Sequence, residues 1–396
     1  MIALEIVLFF AAVAVLLPAG ILFTEIFVAR LPTPRVAASS GERARIAVLM
    51  PAHDESLIIA SSVRSVLPQL SKIDRLVIVA DNCTDGTAEI ATREGAEVIE
   101  RTDAKDRGKG YALDFGVRHL ESDPPDIVLI VDADCHVADG SIDLLARHCA
   151  RTHRPIQATY LMHTHEGAAP NMRLAEFAWL VKNRVRPLGL RRLGLPCQLM
   201  GTGMAFPWQV IRDAALATGH IVEDLKLGLD LARDGAAPQF CPDALVSSNF
   251  PVSTKGVLTQ RTRWEHGHLS VILSEAPSLI LGSLKSRSLD QLALALDLCV
   301  PPLAFLMLAT GAIWILSLAM FFFAGLLGPF AAATLAVLLM SASVILAWAT
   351  YGRQTISFSD LMLGFLYPLR KISVYFGFLF SRQVEWVRSK RNGDHE

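Results

Sequence analysis

Two carboxylates stand directly after an aliphatic run in the first half of the chain. The run Ile127–Val131 ends on Asp132 and Asp134, which are separated by one alanine. A short run of branched apolar residues is typical of a buried parallel strand, so both acids should lie just beyond its carboxyl end. Oxygen ligands at this spacing suit Mg²⁺ or Mn²⁺, which proteins hold with one or two carboxylates and substrate phosphates. Because Asp-x-Asp also occurs in solvated turns, the pair alone leaves both interpretations open.

The segment around these acids alternates between strands and helices. Strands are predicted at 46–50, 76–80, 98–99 and 127–131, and helices at 56–70, 88–94 and 111–120. This alternation predicts a parallel sheet covered on both faces, whose strand-end loops meet at one edge. Glu55, Asp81 and Lys109 lie in such loops. Together with Asp132 they predict a pocket for a nucleotide diphosphate.

Composition separates this chain from ordinary soluble enzymes. Of its 396 residues, 52% are hydrophobic, and they concentrate at the amino terminus and after about Leu292. The formal net charge is −1 and there is no long basic run, so no nucleic-acid partner is indicated. The six cysteines form no CxxC pair and no zinc-spaced cluster with histidine. They are interpreted as reduced thiols in a cytosolic compartment.

The amino terminus carries the first predicted membrane span. Residues Ile2–Val28 are almost entirely apolar, long enough at about 1.5 Å per residue to cross a hydrocarbon core of about 30 Å. The run lacks a basic start and is too long for a cleaved signal peptide, so we interpret it as a retained transmembrane helix. Arginines follow between residues 30 and 45, and the positive-inside rule places the next domain in the cytoplasm.

The carboxyl-terminal third is also predicted to lie in the membrane. Leu298–Ala324 and Phe330–Tyr351 are each long enough to span it, whereas 361–380 is interrupted by Pro368 and by basic residues. We therefore predict an interfacial or re-entrant segment there. The result is a multi-pass protein of the plasma membrane, which in bacteria is the inner membrane. Three regions are predicted: a helix with linker (1–42), a cytosolic α/β domain (43–275) and a membrane region (276–396).

The middle of the chain permits more than one interpretation. Asn171–Arg186 predicts an amphipathic helix, either packed in the core with a solvated basic end or lying on an anionic membrane leaflet. The glycines of Gly201-Thr202-Gly203 could bring backbone close to a ligand, or could simply form a turn. His266 and His268 are interpreted as solvated histidines rather than ligands of a metal or diphosphate.

Seven motifs taken together resemble one family. They are PAHDE (51–55), DNCTDGT (81–87), RGKGYAL (107–113), DAD (132–134), GTG (201–203), VED (222–224) and QRTRW (260–264). From about Arg45 to His268 the chain resembles the family-two nucleotide-sugar glycosyltransferases. It looks most like the membrane-integrated QxxRW branch, which includes cellulose, chitin and hyaluronan synthases and ceramide glucosyltransferase. The resemblance implies a UDP-sugar donor, Mg²⁺ or Mn²⁺, and inversion at the anomeric carbon. The implied α/β fold is GT-A, a Rossmann-like, mostly parallel sheet with helices on both faces, here inserted between transmembrane helices.

The resemblance also assigns residue roles. Asp224 corresponds to the general base, and Asp134 with Asp132 to the metal ligands. Val222 stands where the family often has threonine. Trp264 corresponds to a platform for the acceptor, with a membrane-interface anchor as the rival interpretation. The remaining acceptor positions are Gly201, Thr202, Gly203 and Glu223. The donor positions are Asp54, Glu55, Asp81, Lys109, Asp132, Gln260 and Arg263.

These roles predict a membrane-anchored inverting glycosyltransferase facing the cytoplasm. Its expected acceptor is a lipid-linked saccharide or glycolipid, because a soluble acceptor would not require a site tethered to membrane lipids at both ends. One alternative is a processive polysaccharide synthase that exports its polymer, with an oligomer or an export partner completing the channel. Another alternative, of a different class, is a catalytically inactive nucleotide-sugar-binding subunit.

Overall fold

The computed structural model describes residues 2–32, 43–219, 222–251 and 254–380, with backbone alone for 254–261. Residues 33–42 of the predicted linker and the basic tail after Phe380 lie outside the described residues, as do the side chains of residues 366, 370, 373, 376, 379 and 380. The described chain combines one mixed sheet with long apolar helices.

In the part of the chain that the structure describes, eight strands form a single sheet. The strands are β1 Ile46–Ala52, β2 Arg75–Asp81, β3 Glu97–Arg101, β4 Ile127–Ile130, β5 His136–Val137, β6 Ile156–His163, β7 Met204–Pro207 and β8 Gln239–Asn249. Their order across the sheet is β3-β2-β1-β4-β7-β6-β8-β5. The β3-β2-β1-β4 half is parallel, as predicted, and β6 is parallel to β8. The short strand β7 runs antiparallel to β4 and β6 and so joins the two parallel parts.

Helices cover the sheet and continue into the apolar regions. They are α1 Ile2–Val28, α2 Ile59–Val66, α3 Thr87–Arg93, α4 Lys109–Leu120, α5 Ser141–Thr152, α6 Pro170–Leu180, α7 Arg186–Arg192, α8 Trp208–Arg212, α9 Glu223–Arg233, α10 Thr254–Ser286, α11 Leu289–Leu298, α12 Leu303–Ala324, α13 Leu327–Ala347, α14 Phe358–Leu363 and α15 Ile372–Phe380. Short 3₁₀ segments occupy Leu67–Gln69 and Gly364–Lys371, and π-helical turns occupy Val181–Val185 and Trp348–Gly352.

Three strands of the parallel half, β1, β2 and β4, are buried on both faces. Successive side chains of a strand point to opposite sides, so β1 contributes to two cores. On one face Val48 lies in a buried cluster with Ile59 of α2 and Leu145 of α5. On the other face Leu49 lies with Leu113 of α4. This double burial explains the continuous apolar runs of the strands, and it leaves their carboxyl ends as the place where polar loops gather.

Among the described residues, four helical segments are long and apolar enough to cross a membrane. They are Ile2–Val28, Thr262–Ser286, Leu303–Ala324 and Leu327–Gly352. The first is the predicted span with the same bounds. The third begins five residues later than predicted, because Pro301 and Pro302 separate it from α11. The second was not among the predicted spans; it begins within the QRTRW motif, and polar residues keep its mean hydropathy at 1.2. Residues 358–380 form α14, a 3₁₀ segment and α15 instead of one continuous helix.

A buried ion cluster connects α1 to the α/β domain. The guanidinium of Arg186 donates to Glu25 Oε2 at 2.6 Å and pairs with Asp297. Gln198 donates to the second oxygen of Asp297 at 2.7 Å. The three charged residues are all less than 7% exposed. The predicted helix 171–186 is therefore packed in the core, and the expectation of a solvated basic end is wrong at Arg186, because partners distant in sequence bury it.

Candidate active site

A pocket opens at the carboxyl edge of the parallel strands, and we call it the sheet-edge pocket. Loops after β1, β2 and β4 supply part of its wall, and the rest comes from α4, α6 with the π-helical turn after it, residues 198–201, α9 and α10. Its predicted wall residues from the first half of the chain are Glu55, Asp81, Lys109, Asp132 and Asp134. Those from the second half are Gly201, Glu223, Asp224, Arg263 and Trp264. The fold therefore gathers ten of the predicted site residues around one cavity.

Lys109 joins the two halves of this pocket. The residue begins α4, directly after Gly108 in a positive-φ conformation. Its ammonium pairs with the carboxylate of Asp132 and donates to the carbonyl oxygen of Gly201 at 2.7 Å. Although burial opposes its charge, the carboxylates of Asp132 and Glu223 raise the pKa of Lys109 above its ordinary value. Lys109 is thus a fixed cation in the middle of an acidic site.

The Gly201-Thr202-Gly203 turn has three distinct roles. Gly201 has a φ of +89°, and a Cβ there would lie 3.3 Å from Asp224 Oδ2. Thr202 is fully buried, and its hydroxyl accepts a hydrogen bond from the Asp132 backbone at 3.0 Å. Gly203 packs against Val246 and away from the pocket. Only Gly201 of the three lines the pocket, while Thr202 supports the Asp-x-Asp loop from behind.

The Asp-x-Asp loop offers ligands for a divalent cation. Asp132, Asp134 and Cys135 can bring one ligand atom each within 4.8 Å of the others. Cys135 is buried, and burial raises the pKa of its thiol well above the ordinary value, so it remains protonated. Its thiol donates to Asp134 Oδ1 at 3.5 Å. Since carboxylate oxygens are the ligands that Mg²⁺ and Mn²⁺ prefer, Asp132 and Asp134 fit such an ion.

The predicted donor residues near the first loop divide into two groups. Glu55 lines the pocket, whereas Asp54 turns towards the DNCTDGT loop and accepts from the Thr84 backbone at 2.7 Å. Asp81 at the end of β2 is held by Arg101 at 2.7 Å and is 6% exposed. Of the two acids in PAHDE, the one at the pocket is Glu55, and Asp54 braces two loops against each other.

Helix α9 starts with two acids at the pocket wall. Glu223 and Asp224 occupy its first turn, where the helix dipole stabilises negative charge. Burial and the neighbouring Asp224 carboxylate nevertheless raise the pKa of Glu223 to about 7. One acid of the pair therefore resists ionisation near neutral pH, next to the acid that resembles the general base.

Trp264 of α10 forms part of an aromatic cluster. Its ring centroid lies 4.8 Å from that of Trp179, with 35° between the ring planes. Trp179 is fixed by its indole N–H, which donates to the Tyr160 carbonyl at 3.1 Å, and by an edge contact with Phe250. Trp264 thus faces the pocket from inside the fold. Gln260 lies on α10, but its side chain is outside the described residues.

Comparison with known proteins identifies the family. Residues 44–267 match the family model described as glycosyltransferase like family 2. The chain belongs to this family. Family-two membership, predicted from the seven motifs, is confirmed, while the QxxRW branch stays a prediction.

Curated relatives of this glycosyltransferase are distant. A probable glycosyltransferase, YdaM, from Bacillus subtilis (strain 168) is 24% identical over 61% of this chain and 59% of the relative. The 4,4'-diaponeurosporenoate glycosyltransferase of Staphylococcus haemolyticus (strain JCSC1435) is 26% identical over 48% of this chain and 52% of the relative. The chain thus spans less than two thirds of either relative.

A solved structure shares the fold over nearly the whole glycosyltransferase chain. The mannosyltransferase PcManGT from Pyrobaculum calidifontis, in complex with GDP-Man and Mn²⁺, gives a TM-score of 0.57. The match covers 95% of this chain and 100% of that chain at 17% identity. The predicted GT-A fold class is confirmed by this likeness and by the sheet described above.

Several residues of the glycosyltransferase pocket were not predicted. Lys182 and Asn183 lie on the π-helical turn after α6, and both line the pocket. Asn183 is only 1% exposed, and within the described part of the chain neither atom of its side-chain amide has a hydrogen-bond partner. Such π-helical turns are frequent at functional sites, and the sequence signal for this one is weak. The two amide atoms are therefore available to a ligand.

The two histidines after Trp264 are buried. His266 is 3% exposed and its Nε2 lies 2.9 Å from the carbonyl of Val374. His268 is 5% exposed, lines the pocket and approaches the carbonyl of Leu298. The prediction of solvated histidines is wrong, because the segments that cover α10 come from much later in the chain.

Proposed function

We propose that this protein is a membrane-anchored inverting glycosyltransferase of the QxxRW branch. It transfers a sugar from a nucleotide-sugar to a lipid-linked saccharide or glycolipid at the cytoplasmic face. The supporting observation is the convergence of Asp134, Asp224 and Arg263 on one pocket from three distant parts of the chain. UDP-sugar is the donor that the motifs predict. GDP-mannose, bound by the relative from Pyrobaculum calidifontis, is the second candidate.

Asp224 is the proposed base. The acceptor hydroxyl gives its proton to the Asp224 carboxylate while its oxygen forms a bond to the anomeric carbon. The bond from that carbon to the diphosphate oxygen breaks at the same time, and the electron pair leaves with the nucleotide. Attack from the side opposite the leaving group inverts the anomeric configuration. Lys109 and Gly201 border Asp224 and restrict its position.

Charge on the departing diphosphate must be neutralised. Asp132 and Asp134 would hold Mg²⁺ or Mn²⁺, and such an ion, when bound, supplies Lewis-acid stabilisation of the leaving phosphate. Arg263 provides a planar guanidinium at the same pocket, with donors that match phosphate oxygens. Glu55 and Asp81 lie at the ends of β1 and β2, where the nucleoside would be bound.

The acceptor side of the site contains the aromatic cluster. The faces of Trp264 and Trp179 offer flat apolar surface against which a sugar ring or another ring-shaped group stacks. Gly201 and Glu223 border the same region. We assign this side to the acceptor because it lies on the part of the wall supplied by α6 and α10, next to the helices that are apolar enough to span a membrane.

The test is transfer by the full chain in nanodiscs. A panel of UDP- and GDP-sugars is incubated with a bacterial lipid extract, in Mn²⁺ or in EDTA, and radiolabelled products are separated by size. We expect metal-dependent labelling of lipid by one donor class. A long polymer as the product would contradict the lipid acceptor. If none of the donors supports transfer, the proposed glycosyltransferase activity is contradicted.

Replacing the base separates catalysis from binding. Asp224→Asn should reduce transfer by about 10²- to 10⁴-fold, because an amide cannot take up the acceptor proton. Binding of UDP or GDP should be nearly unchanged. The matched control is Asp234→Asn, an exposed acid directly after the same helix and outside the pocket wall. Wild-type turnover by Asp224→Asn would exclude this base.

A further inference from the structure

A second cavity adjoins the sheet-edge pocket, and we call it the apolar cavity. It lies between α6, the start of α12 and the 3₁₀ segment Gly364–Lys371. Its wall is overwhelmingly hydrocarbon, from side chains such as Leu174, Ala178 and Met307. Such a wall favours apolar ligands, since burying their surface is the main source of binding free energy.

The charges in the wall of the apolar cavity are mostly neutralised by protein partners. Arg186 is held by Glu25 and Asp297, and Lys371 is paired with Glu265. Hydroxyl groups of a glycan chain would lose water in this cavity without gaining enough hydrogen-bond partners. A hydrocarbon chain makes no hydrogen bonds to water, so it loses none when it enters the cavity. The chemistry of the wall therefore separates a lipid from a polysaccharide.

The two cavities have a common wall. Trp179, Lys182, Trp264 and His268 line both of them. The ammonium of Lys182 lies 5.8 Å from the Trp179 ring centroid, so a cation and two indoles stand at the boundary. A molecule with its chain in the apolar cavity would thus present its polar end beside Trp264, at the pocket that contains Asp224.

We propose that the apolar cavity binds the hydrocarbon chain of the lipid acceptor and so places the accepting hydroxyl in the sheet-edge pocket. This inference rests on the proposed function, which it deepens by giving the acceptor a binding site of its own. Its position agrees with this occupant, because Leu303–Ala324 and Leu327–Gly352, both apolar enough to span a membrane, contribute Met307 and Val344 to the wall.

A photoreactive lipid tests the site directly. The full chain in nanodiscs is illuminated with a long-chain fatty alcohol that carries a diazirine within its chain, and labelled peptides are mapped by mass spectrometry. Label should concentrate on peptides of α6, the start of α12 and residues 364–371. Unlabelled fatty alcohol of the same length should compete. Label spread evenly over the exposed faces of α1 and α12 would overturn the proposal.

Filling the cavity gives the second arm of the test. Ala304→Phe adds a ring at the cavity wall, and its control Ala312→Phe adds the same ring at an exposed position of the same helix outside that wall. The added ring should exclude about two methylenes of the probe from the cavity. At a constant probe concentration, labelling should therefore fall about tenfold in Ala304→Phe and stay unchanged in Ala312→Phe. Ala178→Leu, on the opposite wall, repeats the test should Ala304→Phe fail to fold by circular dichroism. Equal labelling of filled and control variants would overturn the proposal.

The two proposals fail in different ways. If Ala304→Phe loses labelling but no nucleotide-sugar supports transfer, the lipid-binding site is supported and the proposed glycosyltransferase activity is contradicted. If sugar is transferred to lipid but Ala304→Phe is labelled as strongly as its control, the glycosyltransferase activity is supported and the apolar cavity is excluded as the lipid site. UDP and GDP binding in Mn²⁺ should be the same for Ala304→Phe and Ala312→Phe, since neither residue lines the sheet-edge pocket.

Discussion

The sheet-edge pocket and the apolar cavity share a wall but treat charge in opposite ways. In the pocket Asp132, Glu223 and Asp224 lie around the ammonium of Lys109, and the pKa of Glu223 is raised to about 7. In the cavity wall, Arg186 is paired with two carboxylates and Lys371 is paired with the carboxylate of Glu265. Acidic charge is concentrated where ligands are proposed to bring cations, and it is paired where hydrocarbon is proposed to bind.

This difference distinguishes residues that hold the fold from residues that await a ligand. A buried charge with its partner in place is part of the framework, and removing one partner leaves the other uncompensated. A crowded acid or an unpartnered amide weakens the ligand-free fold and is useful only when something binds. Substitutions on the two sides should therefore change stability in opposite directions.

The largest effect on stability is expected at the cavity wall. Arg186→Met leaves Glu25 and Asp297 buried without a cation, which should cost about 3–5 kcal/mol. The control Arg173→Met breaks a half-exposed pair with Asp360 and should cost about 1 kcal/mol or less. Thermal unfolding of the two variants in detergent measures both. Equal losses would contradict the assignment of Arg186 to the framework.

In the sheet-edge pocket, removal of a metal ligand should act on binding. Asp134→Ala should weaken Mn²⁺-dependent affinity for UDP or GDP by more than about 100-fold, the upper range for residues that merely orient metal ligands. Titration calorimetry with and without Mn²⁺ measures this change. Asp139→Ala, at an exposed position outside the pocket wall, is the control. An unchanged difference between the two conditions would refute the metal role of Asp134.

Replacing Asn183 should change stability and sugar transfer in opposite directions. Asn183→Leu removes two buried amide atoms that have no partner among the described residues, so unfolding should require about 1–3 kcal/mol more. Transfer should fall, because the ligand loses its contact with the amide. Asn171→Leu, exposed near the start of α6, should change neither. A less stable Asn183→Leu protein would show that a hydrogen bond of the fold had been lost.

Glu223 should make stability depend on pH. Because its pKa is raised from 4.5 to about 7, the folded state binds this proton more tightly than the unfolded state. Its ionisation therefore lowers stability progressively as pH rises from about 4.5 to about 7. The difference in melting temperature between Glu223→Gln and wild type, measured in EDTA, should grow in favour of the variant across that range. A difference in melting temperature that does not change with pH would show that the pKa of Glu223 is not raised.

The parallel half of the fold was predictable because its signals are local. The strands β1, β2 and β4 are built on apolar runs, and each ends at a polar loop that the chain brings to the same edge. The positions of Asp132 and Asp134 follow from that pattern alone. The antiparallel strand β7 has only four residues, and its place between β4 and β6 depends on pairing across more than 40 residues.

The residues that were missed owe their environment to distant segments. Lys182 and Asn183 belong to a basic helical stretch, which in sequence is typical of a solvated surface. Their placement at the pocket depends on contacts of this stretch with segments that do not adjoin it in the chain: Trp179 packs against Trp264 of α10, and Val181 lies in one buried cluster with Leu22 of α1. His266 was misassigned for the same reason, since the residue that caps it is Val374.

The cluster of Glu25, Arg186 and Asp297 also constrains the order of events during synthesis. The helix carrying Glu25 is made first, yet its two partners are separated from it by 161 residues and a further 111. During synthesis this glutamate lacks its counterion Arg186 until almost half of the 396 residues have been made. The helix α1 therefore reaches its final packing only after Arg186 and Asp297 have been translated, and until then Glu25 lacks the partners that hold its charge.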